Sequence, residues 1–498
     1  MAKKTKKDGA PGCELAYAGK EAEETLLASV ADALPLERIK TFGGRRARGN
    51  LLVHDDNLAA LKSLVRMKRA GKIRNADGTS GVRLVYIDPP FSTNLEFRGK
   101  KDQKAYKDKI VGPEFIEFLR KRLILLRELL SPGGSIFVHL DWKKAHHIKV
   151  VMDEVFGEEN FLNDIIWSYG GRGAKAVAGQ FSRNHDIILW YGNGSTHIFN
   201  QSFVERRVRK GAAGFRMDEE GRWFKTAPRG DYTDESVQAL RKAGRVHETR
   251  NGKIRIKYFL REDGDSVIED RLVGDVWDDI PDAMHMNGSE KTGYPTQKPE
   301  GLLARVISTA SNEGDIVLDA FAGAGTTLAV AEKLNRKWIG MDSGALSIHT
   351  IEKRLLTLEG CKDPKEPVKK RPKGCSPFSL LAAEGTDDGC GCGHGHGPAV
   401  ESVYSIDEET KECVVKIKKF SCGDGHNHGG KGLEGLSSVM LDYNFDSRAF
   451  RLDRAYFAEE LKELGYTIRI PLKKIRGTVM FIYADIFGNE SWFAGEAD

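Results

Sequence analysis

Two stretches of the chain carry residue types that could do chemistry. In the first, Leu84-Val85-Tyr86-Ile87 runs straight into Asp88-Pro89-Pro90-Phe91. The four apolar residues read as a buried parallel strand. Two adjacent prolines cannot continue a ladder, so the strand stops there. The stiff chain beyond projects a carboxylate, backbone carbonyls and an aromatic ring from one point. In open α/β sheets, ligands lie just outside the carboxyl ends of strands. A strand followed by a plain Pro-Pro turn is the alternative. The second stretch, Asp319-Ala320-Phe321-Ala322-Gly323-Ala324-Gly325-Thr326-Thr327, joins an apolar strand to a helix that runs to Leu334. Glycines there let backbone approach a ligand, and the helix start offers unpaired N–H groups. A dinucleotide fingerprint wants three spaced glycines; Thr326-Thr327 follow Gly323 and Gly325 instead, so that fingerprint is incomplete. Asp342 ends the next strand, about 20 residues on, where an acidic side chain can hold ribose hydroxyls. A tight packing turn without a ligand is the alternative.

The elements that must position these stretches alternate. Strands are predicted at 51–54, 84–87, 135–140, 164–169 and 185–191. Helices are predicted at 21–34, 58–67, 115–130 and 145–156, with Asp55-Asp56-Asn57 capping the second. Such alternation is what a parallel sheet requires. It breaks between about 192 and 276 and resumes with a helix at 301–312, strands at 315–318 and 338–342, and a last helix at 345–358. Lys362 to Pro377 is rich in Lys and Pro and reads as a linker. Beyond residue 400 a smaller β-rich domain with one helix is expected, near 457–464, with strands near 414–420, 438–443, 466–470 and 478–486.

Composition bounds the rest. The 498 residues set a soft prior of about three domains. With 40% hydrophobic and 30% charged residues, this is a globular class with ample core. The net charge is only +5, so a nucleic-acid surface must be local. No apolar run reaches the roughly 18 residues needed to span a bilayer. Lys3, Lys4, Lys6 and Lys7 have no apolar stretch behind them, so no signal peptide is expected and the reading is cytoplasmic. Six of the seven cysteines lie after residue 360, and the odd total favours thiols or metal over a disulfide framework.

The interruption at 192–275 mixes basic residues with isolated aromatics. Residues 201–260 hold 15 Lys/Arg against 8 Asp/Glu. Arg206, Arg207, Arg209 and Lys210 are the candidate phosphate contacts; a solvated charged face is the alternative. Two further tracts could bind zinc: Cys390, Cys392, His394 and His396, then Cys422, His426 and His428. The residue types suit it. The spacing is not C-x-x-C, and a Gly-rich loop without metal is the other reading.

Taken in order, the Asp56-Asn57-Leu58 start, Asp88 to Asn94, Ser135 to Asp141, Val276-Trp277-Asp278, Thr296 to Pro299 and Asp319 to Thr327 resemble the β-class DNA amino-methyltransferases. The likeness is greatest to the modification (Mod) subunits of type III restriction-modification systems, and covers about residues 50–358. Ala320 and Ala324 stand where that family often has Pro and Ser, and the recognition region is short for a type III subunit. The resemblance implies a Rossmann-like S-adenosylmethionine-dependent methyltransferase sheet, with an inserted target-recognition region and a β-rich α+β C-terminal domain. The implied boundaries are a basic lead at 1–48, a catalytic half at 49–191, recognition at 192–275, and a cofactor half at 276–360. A linker with the Gly/Cys/His segment follows at 361–399, then an accessory domain at 400–498. Removing everything after Pro367 is then expected to leave cofactor binding intact.

By that resemblance, Asp88, Pro89, Pro90 and Phe91 are the catalytic motif. Asp88 and the Pro89 carbonyl accept hydrogen bonds from the target amino group, and Phe91 stacks on the base. Asp319, Phe321, Gly323, Gly325 and Thr326 line the methionine end of S-adenosylmethionine, and Asp342 holds its ribose. Thr296 and Lys298 close the pocket, and Asp56 belongs with the cofactor residues. The implied activity is methylation of adenine N6 in double-stranded DNA within a restriction-modification or other phage-defence system. Partners would be DNA, a restriction subunit or another defence protein, and a second copy of the chain, with no membrane. Cytosine N4 methylation is the alternative within the class. Protein-amide methylation is disfavoured because related enzymes usually place the glycine turn first. A non-catalytic DNA-binding or assembly subunit is the alternative outside it.

Overall fold

The computed structural model describes residues 14–43, 50–91, 96–99, 104–107, 110–169, 181, 183–358, 375–384, 397–423 and 432–495. They fall into two compact units, one from residues up to 200 and from 275 onward, the other from 201 to 274.

The larger unit is built on an eleven-stranded sheet. At its centre the strand Val82–Ile87, wholly buried, lies parallel to Leu130–Leu140 on one side and to Ile316–Asp319 on the other. Lys337–Asp342 and Asn50–His54 continue the parallel array. Burial on both faces explains the unbroken apolar runs. The helices Asn57–Arg69 and Gly112–Leu129 supply the crossovers, and Leu61, Leu64, Leu119 and Leu123 pack in the core against Val85 and Ile87.

Two expectations need correction. The sheet is mixed, because His185–Gly192 runs antiparallel to both Leu130–Leu140 and Phe161–Ser168. Parallel pairing requires a crossover, and no helix joins 161–168 to 185–192 among the described residues. The C-terminal part is also not a separate body. Phe378–Ala383, placed in the linker by its Lys/Pro surroundings, is a buried strand parallel to Asn50–His54 in the central sheet. Leu36–Phe42 then pairs with it antiparallel, and Phe450–Arg451 adds the edge. The expected C-terminal strands do form, as two small antiparallel sheets over their own apolar core.

Lys40 ties these parts together. Its ammonium is 2% exposed and pairs with Glu352, 3.1 Å away on the helix Ala345–Leu356, and with Glu490 on the C-terminal hairpin. A buried cation cannot lose its partners cheaply. In the same hairpin a Cβ at Gly488 would come within 2.5 Å of the Ala345 carbonyl, so the hairpin presses on the start of that helix. Truncation after Pro367 would therefore strip a central-sheet strand and one Lys40 partner, against the sequence-based expectation.

The smaller unit pairs the strands Phe203–Arg209, Arg261–Asp263 and Ser266–Leu272 in one sheet, and Phe215–Met217, Trp223–Pro228, Ile254–Phe259 and Val246–Glu248 in another. Thr233 caps its helix, Asp234–Lys242. It is somewhat shorter than expected, because Asn200 still donates to the Ser308 and Ser311 carbonyls of the larger unit.

Of the seven candidate zinc ligands, only Cys422 falls among the described residues; Cys390, Cys392, His394, His396, His426 and His428 lie outside them. Ala399 pairs with Ser421, so the chain leaves the first tract beside the point where it enters the second. Among the described residues no helix is long and apolar enough to cross a membrane.

Candidate active site

The parallel strands deliver carboxylates to one edge. Asp88, Asp141, Asp319 and Asp342 each lie at or just past a strand end. Asp319 is buried, and its two oxygens accept the Phe321 N–H at 3.0 Å and the Thr327 hydroxyl at 2.5 Å. Those bonds fold the turn back on its own strand. Gly323 at φ 49° and Gly325 at φ 70° take left-handed conformations that favour glycine. A Cβ on Gly325 would lie 2.8 Å from the Ile351 side chain. Asp342 accepts the N–H groups of Gly323 and Gly344, both at 2.9 Å, and Ser347 donates to the Gly323 carbonyl at 2.7 Å. The glycine turn is thus pinned from both sides.

Burial pushes the Asp319 carboxyl up to about 7, with the nearby charges of Asp88 and Asp342 adding to it against the two hydrogen bonds. Burial also raises Asp342. A concentration of buried carboxylates is complementary to a cationic ligand.

Asp88 pairs through Oδ2 with the ammonium of Lys298. Its Oδ1 is buried and, among the described residues, accepts no hydrogen bond. The Lys298 Nζ lies 5.4 Å from the centre of the Phe91 ring. On the ring's other neighbour, His139, the centroids are 6.2 Å apart at 29°. His139 is fully buried, with Nδ1 2.8 Å from the Tyr86 hydroxyl and Nε2 3.1 Å from Asp186. Tyr169 donates to the other Asp186 oxygen at 3.3 Å. Burial works to raise Asp186, but its bond to His139 and the charges of His139 and Lys298 hold the carboxyl below its usual range. When the imidazole is neutral, an ionised Asp186 takes the Nε2 hydrogen and Nδ1 accepts from Tyr86; the protonated ring donates from both nitrogens. Trp167 closes over the imidazole edge-on at 5.6 Å. Sequence reasoning missed this chain of Tyr86, His139, Asp186 and Tyr169. The available signal was a tyrosine and a histidine on adjacent apolar strands.

The remaining candidate residues fall into place unevenly. Thr296 has φ 56°, an uncommon conformation for a β-branched residue, on the loop that carries Lys298. Thr326 donates to the Lys298 carbonyl at 3.1 Å and accepts from Arg354 at 3.0 Å, so it fastens that loop to the glycine turn. Asp56 caps the helix Asn57–Arg69 through the Leu58 N–H and takes Arg122 at 3.1 Å. Arg122 stacks on Phe118, 3.6 Å from its centre, and Phe118 meets Phe321 at 6.1 Å. Arg122 also donates to Asn57, which donates to the Ala320 carbonyl of the turn at 2.7 Å, so Asp56 is linked to the turn through Arg122. Pro89 and Pro90 form the stiff exit, and Ser92 to Asn94 lie outside the described residues.

In the smaller unit, Arg206, Arg207 and Lys210 each have a carboxylate: Glu269 at 3.6 Å, Asp263 at 2.5 Å and Glu262 at 2.5 Å. Arg209 is exposed at the same strand end. The other sheet gathers cations differently. Strand register puts Arg216, Phe224, Lys257, Arg255 and His247 on one face. Lys257 lies 4.8 Å from the Phe224 ring, and Arg216 is 3.2 Å from His247 Nε2. Partial burial, then Arg216, Lys257 and Arg255, lower the His247 pKa.

Parallel central strands, a glycine turn pinned by two strand-end carboxylates, and Asp88 with the Phe91 ring near its Lys298 partner make up the candidate cofactor and substrate site. A family model described as DNA methylase, covering the N6 and N4 enzymes, matches residues 82–353. That is more than half of the chain, which belongs to this family and is an S-adenosylmethionine-dependent DNA methyltransferase. It is 30% identical over 332 residues to the type II methyltransferase M.EcaI of Enterobacter cloacae, covering 60% of this chain and 68% of that one. It is 24% identical to the probable type III HindVI Mod subunit of Haemophilus influenzae, covering 59% of this chain but only 48% of that subunit. The DNA adenine methyltransferase YhdJ of Escherichia coli is 25% identical over 58% of this chain and 77% of its own.

The residues present fit the cofactor. The buried carboxylates of Asp319 and Asp342 and the glycine turn they pin together suit a ligand that carries positive charge and must be approached closely by backbone. Because Asp319 is raised, it is protonated in the folded protein between its unfolded value near 4 and about 7, and folding stability falls as pH rises through that window. A cationic ligand favours the ionised form, so binding should expel that proton. S-adenosylmethionine affinity, measured by calorimetry, is expected to rise with pH by at most about tenfold per unit up to 7 and then to level off. In Asp319→Asn the slope should vanish.

Proposed function

We propose that this methyltransferase modifies the N6 amino group of adenine in double-stranded DNA, with Asp88 as the catalytic residue that receives the amine. The observation that carries this reading is the buried, unpartnered Asp88 Oδ1 beside the Phe91 ring at the carboxyl edge of the sheet. A buried charged acceptor left without a partner is costly, and its retention points to a ligand donor. An exocyclic amine is a poor nucleophile because its lone pair is delocalised into the ring. Two acceptors that take both amino hydrogens, Asp88 Oδ1 and the Pro89 carbonyl, favour a tetrahedral nitrogen and free that lone pair. Phe91, with His139 at 6.2 Å and the Lys298 ammonium at 5.4 Å from its ring centre, would stack on the base and offset stacking lost when that base leaves the duplex. Bound S-adenosylmethionine supplies an electrophilic methyl group. Asp319, Gly323, Gly325 and Asp342 would hold it at the glycine turn, with Thr296 beside it.

Adenine is favoured over cytosine by the Asp at the head of the motif and by the Mod-subunit and adenine-methyltransferase names among the relatives. In this reading the chain serves as the modification component of a defence system, and any cleavage comes from a separate restriction subunit. Mass spectrometry of nucleosides from duplex DNA incubated with enzyme and cofactor tests it. N6-methyladenine is expected; N4-methylcytosine alone would show the wrong base, and no modified base would remove the reading.

DNA phosphates would meet the smaller unit. The sequence-based candidates Arg206, Arg207 and Lys210 each have a carboxylate within 3.6 Å, whereas Arg216 faces His247, Arg255 bonds Thr226, and Lys257 reaches Asp218 at 4.0 Å. Each phosphate contact contributes a salt slope of about 0.9 through counterion release. Alanine at Arg216, Arg255 and Lys257 together should flatten the salt dependence of DNA binding by about 2.7 units. Replacing Arg206, Arg207, Arg209 and Lys210 should flatten it less. The reverse order would return the phosphate contacts to the first strand.

A further inference from the structure

Lys298 does something other than close the cofactor pocket. Its ammonium, 12% exposed, is paired with Asp88 Oδ2, and the pair leaves Oδ1 as the free oxygen of that carboxylate. The backbone that carries the lysine is fastened on both sides. Its carbonyl takes the Thr326 hydroxyl, and Arg354 anchors that hydroxyl while also reaching Glu300 at 2.9 Å. The preceding Gln297 is buried and bonded to the Glu290 carbonyl at 2.6 Å and to Thr292 at 2.7 and 2.9 Å. Pro299 follows and stiffens the exit into the helix Glu300–Ala310. The charge of Lys298 is also felt by Asp186, which orients the imidazole behind Phe91.

We propose that Lys298 is a positioning residue for methyl transfer: it clamps one oxygen of Asp88 so that the other alone faces the target amine, beside the ring that carries the base. This rests on the reading of Asp88 as the amine acceptor. A carboxylate free to rotate about its last side-chain bond would present either oxygen, or neither, in the plane the amine requires. Lys298 fixes that rotation from outside the substrate, and the same ammonium sits against Phe91, so acceptor and stacking face are referenced to one group. The rival is a resting-state contact, in which Lys298 leaves Asp88 to take the cofactor's carboxylate when the cofactor binds.

The two roles separate in the full-length chain with Lys298→Met and Lys298→Arg. S-adenosylmethionine affinity is measured by calorimetry without DNA, and methyl transfer by single turnover with cofactor and duplex both saturating. A clamp predicts that Lys298→Met keeps its dissociation constant within about threefold of wild type and loses about 100-fold in rate, the scale of misplacing a reacting group. Lys298→Arg, which keeps a cation at Oδ2, should recover at least a tenfold part of that loss. A dissociation constant raised tenfold or more, whatever the rate does, assigns Lys298 to the cofactor and overturns the proposal. An unchanged rate in Lys298→Met overturns it as well. If Lys298→Met does not fold, Lys298→Gln is read by the same criteria. A wild-type enzyme that transfers no methyl group would instead count against the Asp88 reading itself.

Discussion

Burying several carboxylates together at the end of a sheet is the constraint on which the rest of this protein depends. Asp88, Asp319 and Asp342 come from three neighbouring parallel strands, and parallel strands deliver their ends to one side by construction. Burial first, and then each neighbouring charge, makes a carboxylate harder to keep ionised, and Asp319 shows it in a pKa pushed up to about 7. The structure relieves it with specific partners: backbone N–H groups on Asp342, a hydroxyl and an N–H on Asp319, an ammonium on Asp88. In the proposed reading the cationic cofactor completes the balance. The same arrangement that suits a sulfonium ligand therefore explains why the turn contains glycines, whose backbone must come close to those carboxylates.

Peripheral pieces serve this edge. The Thr296–Pro299 loop brings Lys298 to Asp88 across a sequence separation of 210 residues. The C-terminal hairpin presses on the first turn of the helix Ala345–Leu356, just after Asp342, while Lys40 joins that helix to Glu490. Strands from both chain ends extend the central sheet, so the methyltransferase core and the C-terminal segment form one unit. The insert at 201–274 is its own unit with its own sheets.

The sequence made local features readable and distant ones not. An apolar run ending in Pro-Pro and a glycine turn between strand and helix announce themselves within ten residues, and both were placed correctly at strand ends. The resemblance implies a cofactor role for Asp56, and in the structure it caps a helix, as the sequence also indicated, and binds Arg122. Phe378–Ala383 was hidden by the charged linker before it, although six buried residues in a row are what a central strand looks like. The carboxylates that neutralise Arg206, Arg207 and Lys210 come from strands more than fifty residues later, and a charge count along the chain cannot see such pairs. The Tyr86–His139–Asp186 chain is likewise assembled only by sheet order.

Asp88→Ala tests the central claim most directly, with single-turnover methyl transfer and cofactor affinity measured on the same preparation. Asp88 is assigned to the base and not to the sulfonium. Transfer is therefore expected to fall by at least about 10²–10³-fold, as for loss of one aligned group in a preorganised site. The S-adenosylmethionine dissociation constant should stay within about threefold of wild type. Full transfer activity in Asp88→Ala would contradict the account, as would a collapse of cofactor binding with the chemical step preserved at saturation.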